Sequence, residues 1–201
     1  MRQVASPSKI GFNCVTLICV PIIPGQAGAV GILKAMIILL NGSINSGKTT
    51  VSKHLVQLLP RTAHVEVDDL HGFVEWMPLA EAIPLNLRNA VAVTRNFVAC
   101  GLNVVLSYPL PPGDYDYLMR ELAPLGVPIH CVTLNPDLAA ALTDRGTREL
   151  TGWELKRIPY HYERGINSPP FGIVIDNTRQ TPDETAREIL DRLRSISDAV
   201  R

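Results

Sequence analysis

A short apolar run that ends in a glycine-rich loop constrains this chain more than any other feature. Residues 37–40 are apolar and lead into residues 42–49, Gly-Ser-Ile-Asn-Ser-Gly-Lys-Thr, which match the pattern of a phosphate-binding P-loop. Residues 50–59 then carry apolar side chains at helical spacing and end at Pro60. Because this pattern binds phosphate between a strand and a helix, the sequence predicts a nucleotide site and not an ordinary glycine-rich turn.

The residue types in this loop suit a triphosphate. Gly42 and Gly47 allow the tight curl that points backbone N–H groups at phosphate oxygens. Lys48 brings a positive charge to the β- and γ-phosphates, and the Thr49 hydroxyl is a ligand for Mg²⁺. We therefore expect ATP and Mg²⁺ as cofactors. The predicted ATP contacts within the loop are Gly42, Ser43, Ile44, Asn45, Ser46, Gly47, Lys48, Thr49 and Thr50.

Composition narrows the class of protein. The 201 residues are 46% hydrophobic and 19% charged, as in an ordinary globular protein that forms one domain. The first 35 residues hold three basic residues and no acidic one, so the rest of the chain is mildly acidic although the net charge is +0. A mildly acidic domain lacks the basic surface of a nucleic-acid-binding protein, and we expect no nucleic acid partner.

The N-terminal 35 residues differ from the remainder. Residues 11–24 are apolar and follow two basic residues, which loosely imitates a signal peptide. The run is too short and too often interrupted by proline to span a membrane, and an ATP site is useful only in the cytoplasm. We expect a cytoplasmic protein with a poorly ordered extension at 1–35 and a P-loop domain at 36–201, in which Met36 is the functional start.

Predicted strands and helices alternate after the P-loop. The pattern predicts an α/β fold of the P-loop NTPase type, with three layers, a central parallel sheet and a small helical lid. Ligands bind such a sheet at the carboxyl ends of its strands. Pro84, inside one helical pattern, marks either a kink or the true start of that helix. The predicted strands are 62–69, 103–107, 128–134 and 172–176, and the predicted helices are 79–101, 114–122, 137–145 and 181–197.

Charged residues past the strands suggest the other catalytic groups. Asp68 follows the second strand, where a carboxylate accepts a proton from a hydroxyl or holds Mg²⁺, and Asp69 beside it is a candidate for substrate binding. Arg145 and Arg148 fit a lid that lays guanidinium groups on the transferred phosphoryl. The alternatives are an ordinary polar loop and a solvated helix end.

The acceptor region is less clear from the sequence. Phe73, Trp76 and Trp153 either line a pocket for an apolar or ring-bearing acceptor or are simply core residues. Ser107 ends the third strand, where many P-loop enzymes carry an aspartate that holds Mg²⁺. The completion of the metal shell is therefore an open question.

The segment 37–50, the strand end at Asp68 and the lid pair resemble chloramphenicol phosphotransferase and its relatives. These are small P-loop kinases near the shikimate, gluconate and adenylylsulfate kinases, and the resemblance covers residues 36–199. It implies transfer of the γ-phosphoryl of ATP to a hydroxyl of a small molecule, with Asp68 as the base and Arg145 or Arg148 on the phosphates. It also implies adenine contacts from Asp176, Asn177 and Thr178.

Two further functions remain open from the sequence. One is a kinase that acts on nucleotides, polynucleotides or sugar nucleotides. The other is a regulatory module that binds a nucleotide without transferring phosphate, which Ser107 favours and the paired arginines oppose. The acceptor and the oligomeric state are not determined by the sequence.

Overall fold

The computed structural model describes residues 35–143 and 149–199, which form an α/β fold around a parallel sheet. The strand order is β2-β3-β1-β4-β5, and every neighbouring pair is parallel. Residues 1–34 of the extension predicted at 1–35 lie outside the described residues. The strands are β1 Ile37–Gly42, β2 Thr62–Glu66, β3 Asn103–Ser107, β4 Ile129–Leu134 and β5 Ile173–Ile175.

Strand β1 lies at the centre of the sheet because its side chains are apolar on both faces. Ile37 and Leu39 point to one face and Ile38 and Leu40 to the other, and all four are fully buried. A strand with helices on both sides needs such a continuous apolar run. Since the P-loop follows β1 directly, it emerges at the middle of the sheet's carboxyl edge.

Helices cover both faces of the sheet, which confirms the predicted three layers. Helices α2 and α3 pack with Ile37 and Leu39, and helices α1 and α6 pack with Ile38 and Leu40. No helix within 35–143 or 149–199 is long and apolar enough to cross a membrane. The helices are α1 Lys48–Leu58, α2 Leu79–Ala99, α3 Pro112–Leu122, α4 Leu138–Ala141, α5 Gly152–Glu163 and α6 Pro182–Ala199.

One helix starts where the sequence predicts, and another is shorter than predicted. Helix α2 begins at Leu79 and continues through Pro84, because the carbonyl of Pro78 accepts the N–H groups of Glu81 and Ala82 and closes the first turn. Pro84 therefore does not mark the start of the helix. Helix α4 is short, and the end of the helix predicted at 137–145 lies outside the described residues.

Helix α5 was not predicted. Thr151 accepts the N–H of Glu154, and the Glu154 carboxylate accepts the N–H of Thr151, which is a complete capping box. The Thr-x-x-Glu spacing is visible in the sequence and signals a helix start. Pro159, inside the helix, masks that signal because proline ordinarily interrupts a helix.

Candidate nucleotide and acceptor site

A cleft of about 520 Å³ opens at the carboxyl edge of the sheet. Its walls come from the P-loop, the end of β2, the 3-10 turn Asp68–Val74, the start of α2, the β3–α3 connection and one face of α5. The parallel topology explains the location, since the loops that follow the strands all meet at this edge.

The P-loop backbone needs glycine at its first position. Gly42 has a φ of +150°, and a Cβ there would clash with the side chain of Ser46 and lie 2.8 Å from the carbonyl oxygen of Leu134. Gly47, with a φ of +96°, is the residue before α1, so the first turn of that helix points its N–H groups into the loop. The loop is thus shaped to bind an anion with backbone groups.

The side chain of Lys48 is buried within the loop. Its Nζ donates to the carbonyl oxygens of Gly42 at 3.0 Å and Ser43 at 2.9 Å. Burial lowers the pKa of Lys48, while the nearby carboxylates of Glu66 and Asp68 raise it. An anionic ligand in the loop would favour the charged form of this ammonium group.

Thr49 contacts a carboxylate that the sequence prediction missed. The Thr49 hydroxyl donates to Glu66 Oε2 at 2.9 Å, and both residues line the cleft. Ser107 is fully buried and forms a 2.7 Å hydrogen bond with His64 Nε2 instead. Glu66 therefore supplies the carboxylate beside Thr49 that Ser107 lacks. Its signal in the sequence is the Glu-x-Asp spacing at the end of β2, which puts a second acid two residues before Asp68.

Asp68 and Asp69 line the cleft at the start of the 3-10 turn that follows β2. Partial burial raises the pKa of Asp68. The charge of Lys48 lowers this pKa, and the carboxylates of Glu66 and Asp69 raise it. The Asp68 side chain still reaches solvent. An accessible carboxylate with a raised pKa has the proton affinity that a general base requires.

Helix α5 adds two basic side chains to the phosphate end of the cleft. His161 Nδ1 lies 3.4 Å from the hydroxyl of Ser43 in the P-loop, and Arg157 lines the cleft one turn earlier on the same helix face. Burial lowers the pKa of His161 to about 4, with further lowering by Arg157 and Lys48, so this ring is neutral at pH 7. Neither residue was predicted, because α5 was not predicted.

A second cavity of about 210 Å³ lies on the other side of the P-loop. Asn177 lines this cavity with Gly47 and Thr50 and donates to the carbonyl oxygen of Ser46 at 2.9 Å. Asp176 and Thr178 lie beside it, and the carboxylate of Asp176 accepts the N–H and hydroxyl of Thr178. The three residues that the resemblance assigned to adenine thus lie beside the P-loop.

The three predicted aromatic residues lie in different places. Trp153 lines the cleft and is 58% exposed, whereas Phe73 and Trp76 are 84% and 80% exposed and are not among the described lining residues. The structure therefore does not bring Phe73 and Trp76 to the cleft or into the core. Leu79 and Ile83, at the start of α2, form part of its apolar wall instead.

The predicted lid arginines, Arg145 and Arg148, lie outside the described residues. Thr143 is the last described residue before the two arginines, and it is hydrogen-bonded to the P-loop. Asn45 donates from Nδ2 to the carbonyl oxygens of Ala141 and Thr143, each at 2.9 Å. Asn45 itself has a φ of +59°, a conformation that asparagine tolerates better than most residues.

Several solved structures with a similar fold are described as kinases. The chain is similar to the Mycobacterium tuberculosis APS kinase CysC in complex with AMPPNP and APS, with a TM-score of 0.62, 22% identity, and coverage of 80% of this chain and 98% of that chain. It is also similar to a gluconokinase from Sinorhizobium meliloti 1021, with a TM-score of 0.60, 18% identity and coverage of 84% and 96%.

A third similar structure is the Deinococcus radiodurans tunicamycin resistance protein, with a TM-score of 0.58, 16% identity, and coverage of 80% of this chain and 96% of that chain. No protein-family model matches the chain. No curated protein sequence matches it either. The structural similarities span nearly the whole length of these proteins and confirm the predicted α/β P-loop fold.

Proposed function

We propose that this protein is an ATP-dependent phosphotransferase that moves the γ-phosphoryl group to a hydroxyl of a small molecule. One observation supports this most directly: a single cleft brings together the P-loop lysine, the Thr49–Glu66 pair and the accessible carboxylate of Asp68. Glu66 already supplies a carboxylate beside Thr49, so Asp68 is available to accept a proton, which nucleotide binding alone does not require. The kinases among the similar structures support the same reaction class.

The phosphate groups would be held by charge and by backbone N–H groups. Lys48 and the first turn of α1 would contact the β- and γ-phosphates, and Arg157 would add a second positive charge from α5. Arg145 and Arg148 remain candidates for the same role. Phosphoryl transfer needs little covalent chemistry from the protein, so positioning and charge stabilisation account for most of the catalysis.

Asp68 would accept the proton of the acceptor hydroxyl. It begins the turn directly after β2 and faces the cleft that Lys48 also lines. A general base contributes roughly 100-fold to 10,000-fold to such a rate. Asp69, the neighbouring carboxylate, would help to orient the acceptor. Because ATP is a cytosolic metabolite, we expect the enzyme to act in the cytoplasm.

The residues near Thr49 fit Mg²⁺. Thr49 and Glu66 present a hydroxyl and a carboxylate to the cleft, and hard oxygen ligands are those that Mg²⁺ prefers. In the part of the chain that the structure describes, no three or more His, Cys, Asp or Glu side chains form a metal cage. Such a sparse set suits an ion that takes its other ligands from phosphate and water, and that neutralises phosphate charge when bound.

Label transfer tests the proposal. Wild-type protein is incubated with Mg²⁺, γ-labelled ATP and a small-molecule extract, and a labelled product other than inorganic phosphate is expected. Asp68→Asn should reduce its formation by at least ~100-fold while ATP affinity stays within about twofold. Asp116→Asn changes an exposed acid on α3 and should behave as wild type.

Two results would contradict the proposal. Tight ATP binding without any labelled product would indicate a regulatory nucleotide-binding module. If Asp68→Asn forms labelled product as well as the wild type does, Asp68 is not the general base. Labelled oligonucleotides or sugar nucleotides would instead identify the acceptor class within the same reaction.

A further inference from the structure

The cleft extends beyond Asp68 into a region that we call the acceptor half. It is formed by Asp69, His71, Leu79, Ile83, Tyr108, Asp114 and Trp153, and the His71 ring forms no salt bridge with Asp69 or Asp114. An inference about its ligand rests on the proposed function, because it concerns the molecule whose hydroxyl would receive the phosphoryl group.

Carboxylates in the acceptor half lack ion-pair partners among the described residues. Neither Asp69 nor Asp114 forms a salt bridge with a lysine, arginine or histidine in the described parts of the chain, and neither does Asp68. Asp114 is only partly exposed, and burial raises its pKa, although a hydrogen bond from Tyr108 lowers it. A partly buried carboxylate without a cation is electrostatically uncompensated.

Tyr108 increases this imbalance. Burial, and after it the nearby carboxylate of Asp114, raises the pKa of the phenol, so it keeps its proton at pH 7. Tyr108 lines the cleft with that carboxylate, and its phenol oxygen can accept a hydrogen bond from a ligand. Tyr108, Asp69 and Asp114 therefore offer hydrogen-bond acceptors to a ligand and attract a donor or a positive charge.

The arginine in the cleft acts on both halves. Arg157 lies one turn before His161 on α5, and His161 contacts Ser43 of the P-loop. The charge of Arg157 lowers the pKa of His161 and also that of Tyr108. Arg157 nevertheless forms no salt bridge with Asp69 or Asp114 in the described parts of the chain.

The other surfaces of the acceptor half are apolar. Leu79 is 48% exposed and Trp153 is 58% exposed, although both line the cleft with Ile83. An apolar molecule in the cleft would remove part of this surface from water, at about 25 cal/mol per Å². The region therefore combines an apolar wall with a negatively charged one.

We propose that the phosphate acceptor is a cationic amino alcohol, in which a basic amine and the reacting hydroxyl are carried on a compact apolar body. The hydroxyl lies at Asp68, the ammonium group faces Asp114 and Asp69, and the apolar body contacts Leu79, Ile83 and Trp153. Acceptors that carry a carboxylate or phosphate are disfavoured, because the acceptor half repels them.

Three matched ring compounds test the charge preference. They are trans-2-aminocyclohexanol, trans-cyclohexane-1,2-diol and trans-2-hydroxycyclohexanecarboxylate, which share one ring and one hydroxyl and differ in charge. Binding is measured by ligand-observed NMR with Mg²⁺ and AMPPNP present. The amine should bind the wild type about 10-fold more tightly than the diol, and the carboxylate more weakly still.

Two variants test whether Asp114 causes the preference for the amine over the diol. Asp114→Asn keeps the shape and the contact with Tyr108 but removes the charge, so the amine and the diol should bind almost equally. Asp116→Asn, on the same helix and exposed, should keep the 10-fold preference. The proposal is overturned if the carboxylate binds as well as the amine, if none of the three binds at 50 mM, or if Asp114→Asn keeps the preference.

The binding of the three probes tests the acceptor class, whereas label transfer tests the proposed reaction. A protein that transfers label to an extract but prefers the carboxylate probe is a kinase with a different acceptor class. A protein that prefers the amine but transfers no label keeps the charge selectivity and loses the proposed reaction.

Discussion

The two halves of the cleft are built in opposite ways. In the phosphate half, which comprises the P-loop, Glu66, Arg157 and His161, polar side chains bond to one another: Lys48 to loop carbonyls, Thr49 to Glu66, and Ser43 to His161. In the acceptor half, Asp69 and Asp114 form no salt bridges in the described parts of the chain, and large apolar side chains reach solvent.

This difference indicates where the protein is preorganised. A site whose groups already hold each other in position loses little freedom when its ligand binds, which suits the common nucleotide. In the acceptor half, by contrast, a bound ligand would supply the missing positive charge and cover the exposed apolar surface. Such a site suits one specific acceptor. A substitution in one half should therefore leave the ligand of the other half bound as before.

The largest effect is expected from Lys48→Ala in the phosphate half. Removal of the ammonium group should reduce label transfer on the order of 1,000-fold, because its Nζ lies inside the loop where the phosphates would bind. Lys53→Ala, at an exposed position on the same helix, is the matched control and should retain transfer. Near-normal transfer by Lys48→Ala would mean that the loop does not hold the reacting phosphate.

A smaller effect is expected from Glu66→Gln, which keeps the hydrogen bond from Thr49 and removes the charge. The Mg²⁺ concentration for half-maximal transfer should rise by roughly 10-fold to 100-fold, as for other groups that orient a metal ligand. Titration of Mg²⁺ at saturating ATP measures this shift. Ser107→Ala, which alters only the buried contact with His64, should leave the Mg²⁺ requirement unchanged, and equal shifts in both variants would contradict the role of Glu66.

The acceptor half should respond to Trp153→Ala but not to Trp76→Ala. Trp153 lines the cleft, so its loss should raise the acceptor KM by about 10-fold with little change in the KM for ATP. Trp76 is 80% exposed and does not line the cleft, so its truncation should change neither value by more than twofold. Equal responses to the two substitutions would contradict the boundary drawn here for the acceptor half.

The smallest expected effect is on stability through His161. Its folded pKa is about 4 against an ordinary value of 6.5, so the unfolded chain binds more protons as the pH falls through this range. The fold should therefore lose about 1 kcal/mol between pH 7 and pH 5.5 through this residue. Urea unfolding of His161→Gln should show a flatter pH dependence. An unchanged slope in His161→Gln would contradict the assigned pKa.

The fold was largely predictable because its signals are local. The apolar run of β1, the glycines of the P-loop and the alternation of strands with helices all predict a parallel sheet with the loop at its edge. Helix α5 escaped prediction because Pro159 conceals the capping box at Thr151 and Glu154, and with it Arg157 and His161 were missed.

The candidate site was predictable only in part, because side-chain pairing depends on tertiary distance. Sequence reasoning looked for a magnesium carboxylate at Ser107, whereas the pairing of Thr49 with Glu66 depends on how α1 and β2 meet. Phe73 and Trp76 were expected to line a pocket or the core because they are large and apolar. Both lie instead on an exposed turn, a location that hydropathy does not reveal.

The capping box of α5 has a consequence for how relatives of this protein can diversify. Asn45 fixes the chain at Thr143, and the pairing of Thr151 with Glu154 fixes it again where α5 starts. Because the capping box sets the first turn of α5 from Thr151 and Glu154, substitutions before Thr151 that spare these two side chains should leave Arg157 and His161 in register with the P-loop. We therefore expect relatives to keep the Thr-x-x-Glu spacing at this helix start while the residues before it vary.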